Sequence, residues 1–347
     1  MIPRRPLLAS LLALLVAGCA QHEPDDVITL VYATPYTPGH PFSRADRSWM
    51  EFVERQSGGK LRIRANWAGG LLSSDHSMQE LRHGVADIGL ITPIYAKGGA
   101  HLLRIQAGFY SGIETIEQQV ELYRCMAEHV PQFARELEGL RVLAVQGGSL
   151  PGIVTRERPV LSLADLRGLR LRAPTELLQI LRTLGADPVN MPMGEVYSAL
   201  AKGVIDGVIA PADTFRSLHF VDVAKHYTAL PIPRGAYASR AIGERRWREL
   251  PESARRVLEE SVPIWEAAFA REVRAAFDEG LRTAAEAGIG MHEIDADGQR
   301  SFTELYRAQA ERNAAALAKY GIDGSAVLAL ARASIRPDGG VNCNGGN

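Results

Sequence analysis

From Val27 onward, two rhythms of apolar and polar residues alternate along the chain. VITLVYA (27–33) reads as a strand, and so does KLRIRANW (60–67), in which apolar and basic residues alternate with the period of two that a strand requires. Between them, past the Pro/Gly-rich TPYTPGHPF, SRADRSWMEFVERQSGG (43–59) reads as a helix closed by Gly58-Gly59. SMQELRHG (77–84) then predicts a helix and VADIGLIT (85–92) a strand that stops at Pro93. Strands alternating with helices predict parallel βαβ units.

A second region of the same kind begins near Leu150. LSLADLRG predicts a one-turn helix, with Ser162 and Asp165 spaced as a capping box. GLRLRAP (168–174) predicts a strand, TELLQILRTLGA (175–186) a helix, EVYSALAKG (195–203) another, and VIDGVIAP (204–211) a strand. From 251 to 287 an apolar stripe at steps of three and four runs through Leu258, Val262, Trp265, Phe269, Val273, Phe277 and Leu281. It predicts one helix more than about 50 Å long, bent at Pro263 and reaching along two domains.

Composition refines this picture in one place. Apolar residues make up 46% and charged residues 23% of 347, an ordinary globular balance large enough for two domains. The net charge of −1, with no basic patch interleaved by aromatics, gives no sign of a nucleic-acid partner, and none is expected. The amino terminus differs from the rest. Arg4 and Arg5 precede an apolar region of twelve residues, 7–18, too short to span a bilayer, and VAGC at 16–19 resembles a bacterial lipobox. That resemblance implies a signal peptide over 1–18, a lipid on Cys19, a tether over 19–26, and a soluble body held at a membrane outside the cytoplasm. Cys125 and Cys343 can pair in such an oxidising compartment, although Cys343 lies in a Gly/Asn-rich tail (336–347) expected to be mobile.

Three strand ends carry the chemistry. They fall at Thr92-Pro93, Arg172-Ala173-Pro174 and Ala210-Pro211, each cut sharply because proline cannot continue a central strand. An arginine at such an end faces the crevice where α/β proteins bind ligands, and its planar guanidinium matches a carboxylate. An ion pair of Arg172 with Asp165 or Asp187 is the structural alternative. Catalytic and cofactor motifs are missing: there is no HExxH, GxSxG, Walker loop or Gly-rich dinucleotide turn, and the nine histidines lack metal-ligand spacing.

The segments SGGKLRI, ELRHGVADIGL, DLRGLRLRAP, LGADPVNMPMGEVYSALAKGVIDG and RRWRELPESARRVLEES together resemble the DctP-type solute-binding proteins of TRAP transporters. The resemblance implies an α/β fold of two lobes, each a mixed sheet flanked by helices, with a long helix spanning both. Lobe I would be 27–149 plus 238–277, and lobe II 150–237 plus 278–335. It implies an organic acid bound between the lobes and delivered to TRAP membrane subunits. A sensory protein presenting its ligand to a receptor kinase would share these features. By the same matching, Arg172 would hold the ligand carboxylate, with Thr92, Met193 and Ala210 at pocket positions.

Two departures bear on the ligand. DGVIAP puts Ala210 where the family often has asparagine, and GGSLPGIV lacks a second arginine that many members carry. Arg172 is therefore expected to be the only charged anchor in its half of the cleft, which favours a monocarboxylate with an apolar body. Trp67, Met193, Ala210 and Phe215 are expected as apolar walls and Tyr36 as a hydroxyl; Trp67 and Phe215 also fit plain core packing.

Overall fold

The computed structural model describes residues 27–230 and 232–343. Its eleven strands are β1 (Ile28–Ala33), β2 (Leu61–Asn66), β3 (Ile88–Leu90), β4 (Leu140–Gln146), β5 (Gly152–Thr155), β6 (Arg170–Arg172), β7 (Asp187–Val189), β8 (Gly207–Ala210), β9 (His226–Ala229), β10 (Tyr237–Gly243) and β11 (Gly290–Glu293). They form two sheets, β2-β1-β3-β10-β4 and β11-β9-β5-β8-β6-β7. The parallel pairing expected from the βαβ rhythm holds for β1 with β2 and β3, and for β6 with β7 and β8. Both sheets are nevertheless mixed. β10 inserts antiparallel between β3 and β4, and β5 runs antiparallel to β8 and β9. The insertion has a topological cause: the chain crosses from the first sheet to the second after β4 and returns after β9.

The main helices are α1 (Pro41–Gln56), α2 (Ile116–His129), α3 (Met193–Ala201), α4 (Glu252–Glu260), α5 (Val262–Glu286), α6 (Ala296–Ala315) and α7 (Gly324–Ser334). The single helix expected over 251–287 is two helices, so its expected length is corrected. Pro263 has no N–H and would clash with the carbonyl four residues back, which confines it to a first helical turn. The break falls at Ser261, whose hydroxyl accepts from Trp49 Nε1 at 2.8 Å and donates to the Leu258 carbonyl at 2.7 Å. What remains, α5, is about 37 Å long. It still packs against both lobes, along α1 and against the short helix Thr214–Ser217. At Gly280 it comes so close that an added Cβ would lie 2.1 Å from the Ala212 carbonyl oxygen.

The first lobe is organised around a buried ion pair. Asp46 of α1 and Arg240 of β10 are both fully buried and meet through two bonds of 2.9 and 3.2 Å. Tyr32 Oη and Trp265 Nε1 also donate to Asp46, Gln146 accepts from Arg240, and the guanidinium lies 4.4 Å from the Phe269 ring centroid. Burial opposes the charge on Arg240, but Asp46 more than offsets it and holds the guanidinium above its ordinary range.

The carboxy-terminal end departs from expectation in two ways. α6 begins on the second lobe, where Phe302 and Tyr306 join its core. It ends on the first, where Ala310, Ala314 and α7 pack with Leu122 and Phe133. The division expected at 278–335 therefore gives way to a boundary inside α6, set by its two differently directed apolar surfaces. The tail expected to be mobile is tied down over 336–343: Val341 bridges Ile335, Asn342 N–H donates to the Ser334 carbonyl, and Cys343 forms a disulfide with Cys125 of α2. Residues 1–26, with Cys19 and the expected signal peptide, and 344–347 lie outside the described residues.

Candidate ligand-binding cleft between the lobes

All three predicted strand ends reach one cavity: Thr92, Arg172 and Ala210 line it together. Arg172 ends β6, where Pro174 forbids further ladder pairing and the chain turns into the 3-10 helix Thr175–Leu177. Gly207 of β8 lets β6 and β5 come close on either side of it, since a Cβ there would lie 2.9 Å from the Leu171 side chain of β6 and 2.5 Å from the Val154 carbonyl oxygen of β5. Arg172 is 4% exposed. Its Nε donates to the Met191 carbonyl at 3.0 Å and its Nη2 to the Tyr95 hydroxyl at 2.6 Å. No carboxylate among the described residues pairs with it. Asp165 is instead engaged in the predicted capping box, accepting from the Ser162 N–H and hydroxyl.

Phe42, Ile94, Leu177, Met193, Ile209 and Val273 supply apolar lining. Thr92 is present, but its hydroxyl donates to the Ser74 carbonyl and so has no proton to spare for a ligand. Tyr36 also faces the cleft, its ring stacked on His40 at 4.0 Å between centroids. His40 accepts from the Phe42 N–H through Nδ1, capping α1. Burial first, then Arg240 and Arg44, pushes His40 down to about 3, so the ring is neutral, as that cap requires.

Two predicted wall residues are not part of the cleft. Phe215 is fully buried and packs edge-on against Tyr227 in the second-lobe core. Trp67 packs edge-on against Tyr32, on the core of the first lobe. Each lies near a strand end, but its ring turns into the lobe interior, where more apolar area is removed from water.

The expectation of a single charged anchor is also corrected. Glu176, Asp213 and Arg234 line the same cavity. Glu176 is 7% exposed, its Oε2 has no partner, and burial, opposed by Arg172 and Arg234, raises it to about 7. Burial likewise raises Asp213 to about 6, against the pull of Arg234 and a Ser217 hydrogen bond. Arg234 comes from 230–236, the segment that returns the chain from the second sheet to the first. Its Nη1 donates to the Ser149 carbonyl at 3.1 Å. Among the described residues, no group of three or more His, Cys, Asp or Glu side chains could hold a metal ion.

Residues 32–315 match DctP, the bacterial extracellular solute-binding protein family 7. The chain belongs to this family. It is a transport solute-binding protein and not an enzyme. A solute-binding protein of Chromohalobacter salexigens is 26% identical over 277 residues, 75% of this chain and 77% of that one. One of Albidiferax ferrireducens is 26% identical over 190 residues, and there the match spans only 54% of the relative's length. Solved TRAP solute-binding proteins share the two-lobed fold. One from Rhodoferax ferrireducens T118, with copurified benzoate, has a TM-score of 0.79 at 24% identity, covering 88% of this chain and 97% of that one. One from Bordetella bronchiseptica, with (R)- and (S)-mandelate, has 0.77 at 19% identity, covering 88% and 98%. One from Chromohalobacter salexigens, with d-glucuronate, has 0.74 at 17% identity, covering 86% and 99%.

No helix of the described residues is long and apolar enough to cross a membrane. Glu176 and Arg234 carried little sequence signal. Glu176 stands two residues past the Arg172-Ala173-Pro174 stop, and Arg234 sits in PRGAY, a link between strands that shows no periodicity.

Proposed function

We propose that this family 7 protein captures an organic acid between its lobes, holds the carboxylate on Arg172, and delivers the acid to TRAP membrane subunits. One observation carries the reading: Arg172 is buried at the cleft and bonded only to a carbonyl and a phenol. A buried cation without an anion is costly, and a ligand carboxylate supplies both the missing charge and a bidentate acceptor. The apolar lining from Phe42, Ile94, Leu177 and Val273 supports a monocarboxylate with an apolar body. The benzoate and mandelate of the two similar structures agree with that class, whereas the glucuronate of the third is a competing one. Tyr36, Thr92, Met193 and Ala210 complete the proposed contact surface. Binding drives closure because groups of both lobes meet one ligand.

A calorimetric titration with benzoate tests this. Arg172→Ala is expected to weaken binding about 100-fold or more, and unchanged affinity would refute the role of Arg172. A thermal-shift screen tests the ligand class, which fails if glucuronate stabilises the protein and no aromatic or aliphatic monocarboxylate does. We further propose that Cys19 is lipidated after removal of 1–18, on the strength of the VAGC sequence. Cys19→Ser is then expected to move the protein from the membrane fraction to the soluble one.

A further inference from the structure

Two arginines and two carboxylic acids line the cleft, Arg172, Arg234, Glu176 and Asp213, and among the described residues none forms an ion pair with another. Arg172 is accounted for by the carboxylate reading, on which this inference rests. The other three form a separate group. Glu176 and Asp213 both lie in the field of Arg234, Glu176 has a buried oxygen with no partner, and Arg234 has one hydrogen bond, to a backbone carbonyl. A guanidinium has five N–H donors, so several of those on Arg234 remain to be used.

We propose that Arg234 and Glu176 form a second recognition pole that binds a ligand hydroxyl, so that the cleft selects hydroxy acids over their unsubstituted parents. A second carboxylate would suit Arg234 but share the cavity with the like charges of Glu176 and Asp213. An ammonium would suit the two acids but face two arginines. A hydroxyl accepts from Arg234 and donates to Glu176 at once, and it adds no net charge to the group. Binding sites that hydrogen-bond a ligand hydroxyl discriminate strongly against the analogue lacking it, because their own buried polar groups are otherwise left unpaired. The unpartnered Oε2 of Glu176 is such a group.

The experiment is a calorimetric series on the full mature protein with two matched sets of acids. One set is benzoate with its 2-, 3- and 4-hydroxy derivatives, and the other is phenylacetate with mandelate and 3-hydroxyphenylacetate. At least one hydroxy acid is expected to bind tenfold or more tightly than its parent. That ratio is expected to fall below threefold in Arg234→Met and in Glu176→Leu, and to survive in Glu176→Gln, which can still accept from the hydroxyl. A ratio near one for every pair in the unaltered protein overturns the proposal without recourse to any variant. A ratio that persists in both Arg234→Met and Glu176→Leu overturns it as well. The two readings fail separately: benzoate affinity insensitive to Arg172→Ala removes the carboxylate site, whereas a flat hydroxyl ratio with Arg172 still required removes only the second pole. Failure of every acid to bind removes both.

Discussion

Arg172 of the second lobe donates through Nη2 to the hydroxyl of Tyr95, which belongs to the 3-10 helix Pro93–Tyr95 of the first lobe, at 2.6 Å. The same guanidinium proposed to hold the ligand thus also ties one lobe to the other. Removing the phenol would leave a buried N–H donor unsatisfied in the closed arrangement, at about 1–3 kcal/mol. Tyr95→Phe is therefore expected to weaken benzoate binding several-fold and to enlarge the radius of gyration measured by small-angle scattering. A variant as compact and as tight as the parent would count against the link.

The pH dependence of stability follows from Glu176. Burial lifts its folded-state value to about 7 from an ordinary 4.5, with Arg172 and Arg234 pulling the other way. A raised carboxyl contributes stability that is fully present below the unfolded value and is lost as pH climbs to the folded value. The loss therefore develops between about pH 4.5 and 7 and amounts to at most ~3 kcal/mol. Asp213, raised to about 6, acts in the same direction. Glu176→Gln abolishes one of these titrations, so its melting temperature relative to the parent is expected to be several degrees higher at pH 8 than at pH 5. An equal offset at both values would contradict the assignment.

Asp46→Ala strands a fully buried Arg240 without its counter-charge. Loss of one partner from a buried pair costs about 3–5 kcal/mol, and here Tyr32 and Trp265 lose their acceptor too. Denaturant unfolding is expected to show a destabilisation of that size. A loss below about 1 kcal/mol would mean that the network is not holding the first lobe together.

The disulfide between Cys125 and Cys343 closes a loop of 218 positions and pins 336–343 to α2. Its removal in Cys343→Ser is expected to lower stability by about 2–5 kcal/mol. Reductant should bring the parent down to the level of the variant and leave the variant where it is. A parent indifferent to reductant would refute this.

Much of the site was legible in the sequence because strand ends are local events. Pro93, Pro174 and Pro211 stop their strands wherever the sheets go, and the residues beside them converge on one cavity. The capping box at Ser162 and Asp165 is local in the same sense. What stayed hidden depends on distance along the chain. Asp46 and Arg240 are 194 residues apart, and nothing in RADR or ASRA announces the partner. The side-chain direction of Trp67 and Phe215 is decided by packing that neither segment encodes alone. The antiparallel insertion of β10 likewise follows from the route of the chain between sheets and not from the pattern within the strand. Pro263 interrupts the helical pattern, but a residue barred from a helix interior is tolerated in a first turn, so it marks the start of α5 and not a bend within one helix.

Arg234 sits on neither lobe proper but on the stretch about which the lobes would turn. If a ligand must engage it, grip and pivot are sensed by a single molecule. An acid that fills the cleft and reaches Arg172 alone would be enclosed while leaving the turning stretch unengaged. Affinity and transport would then part company: good occupants need not be good cargo, and competitive inhibitors of uptake are to be sought among acids that lack the second polar group.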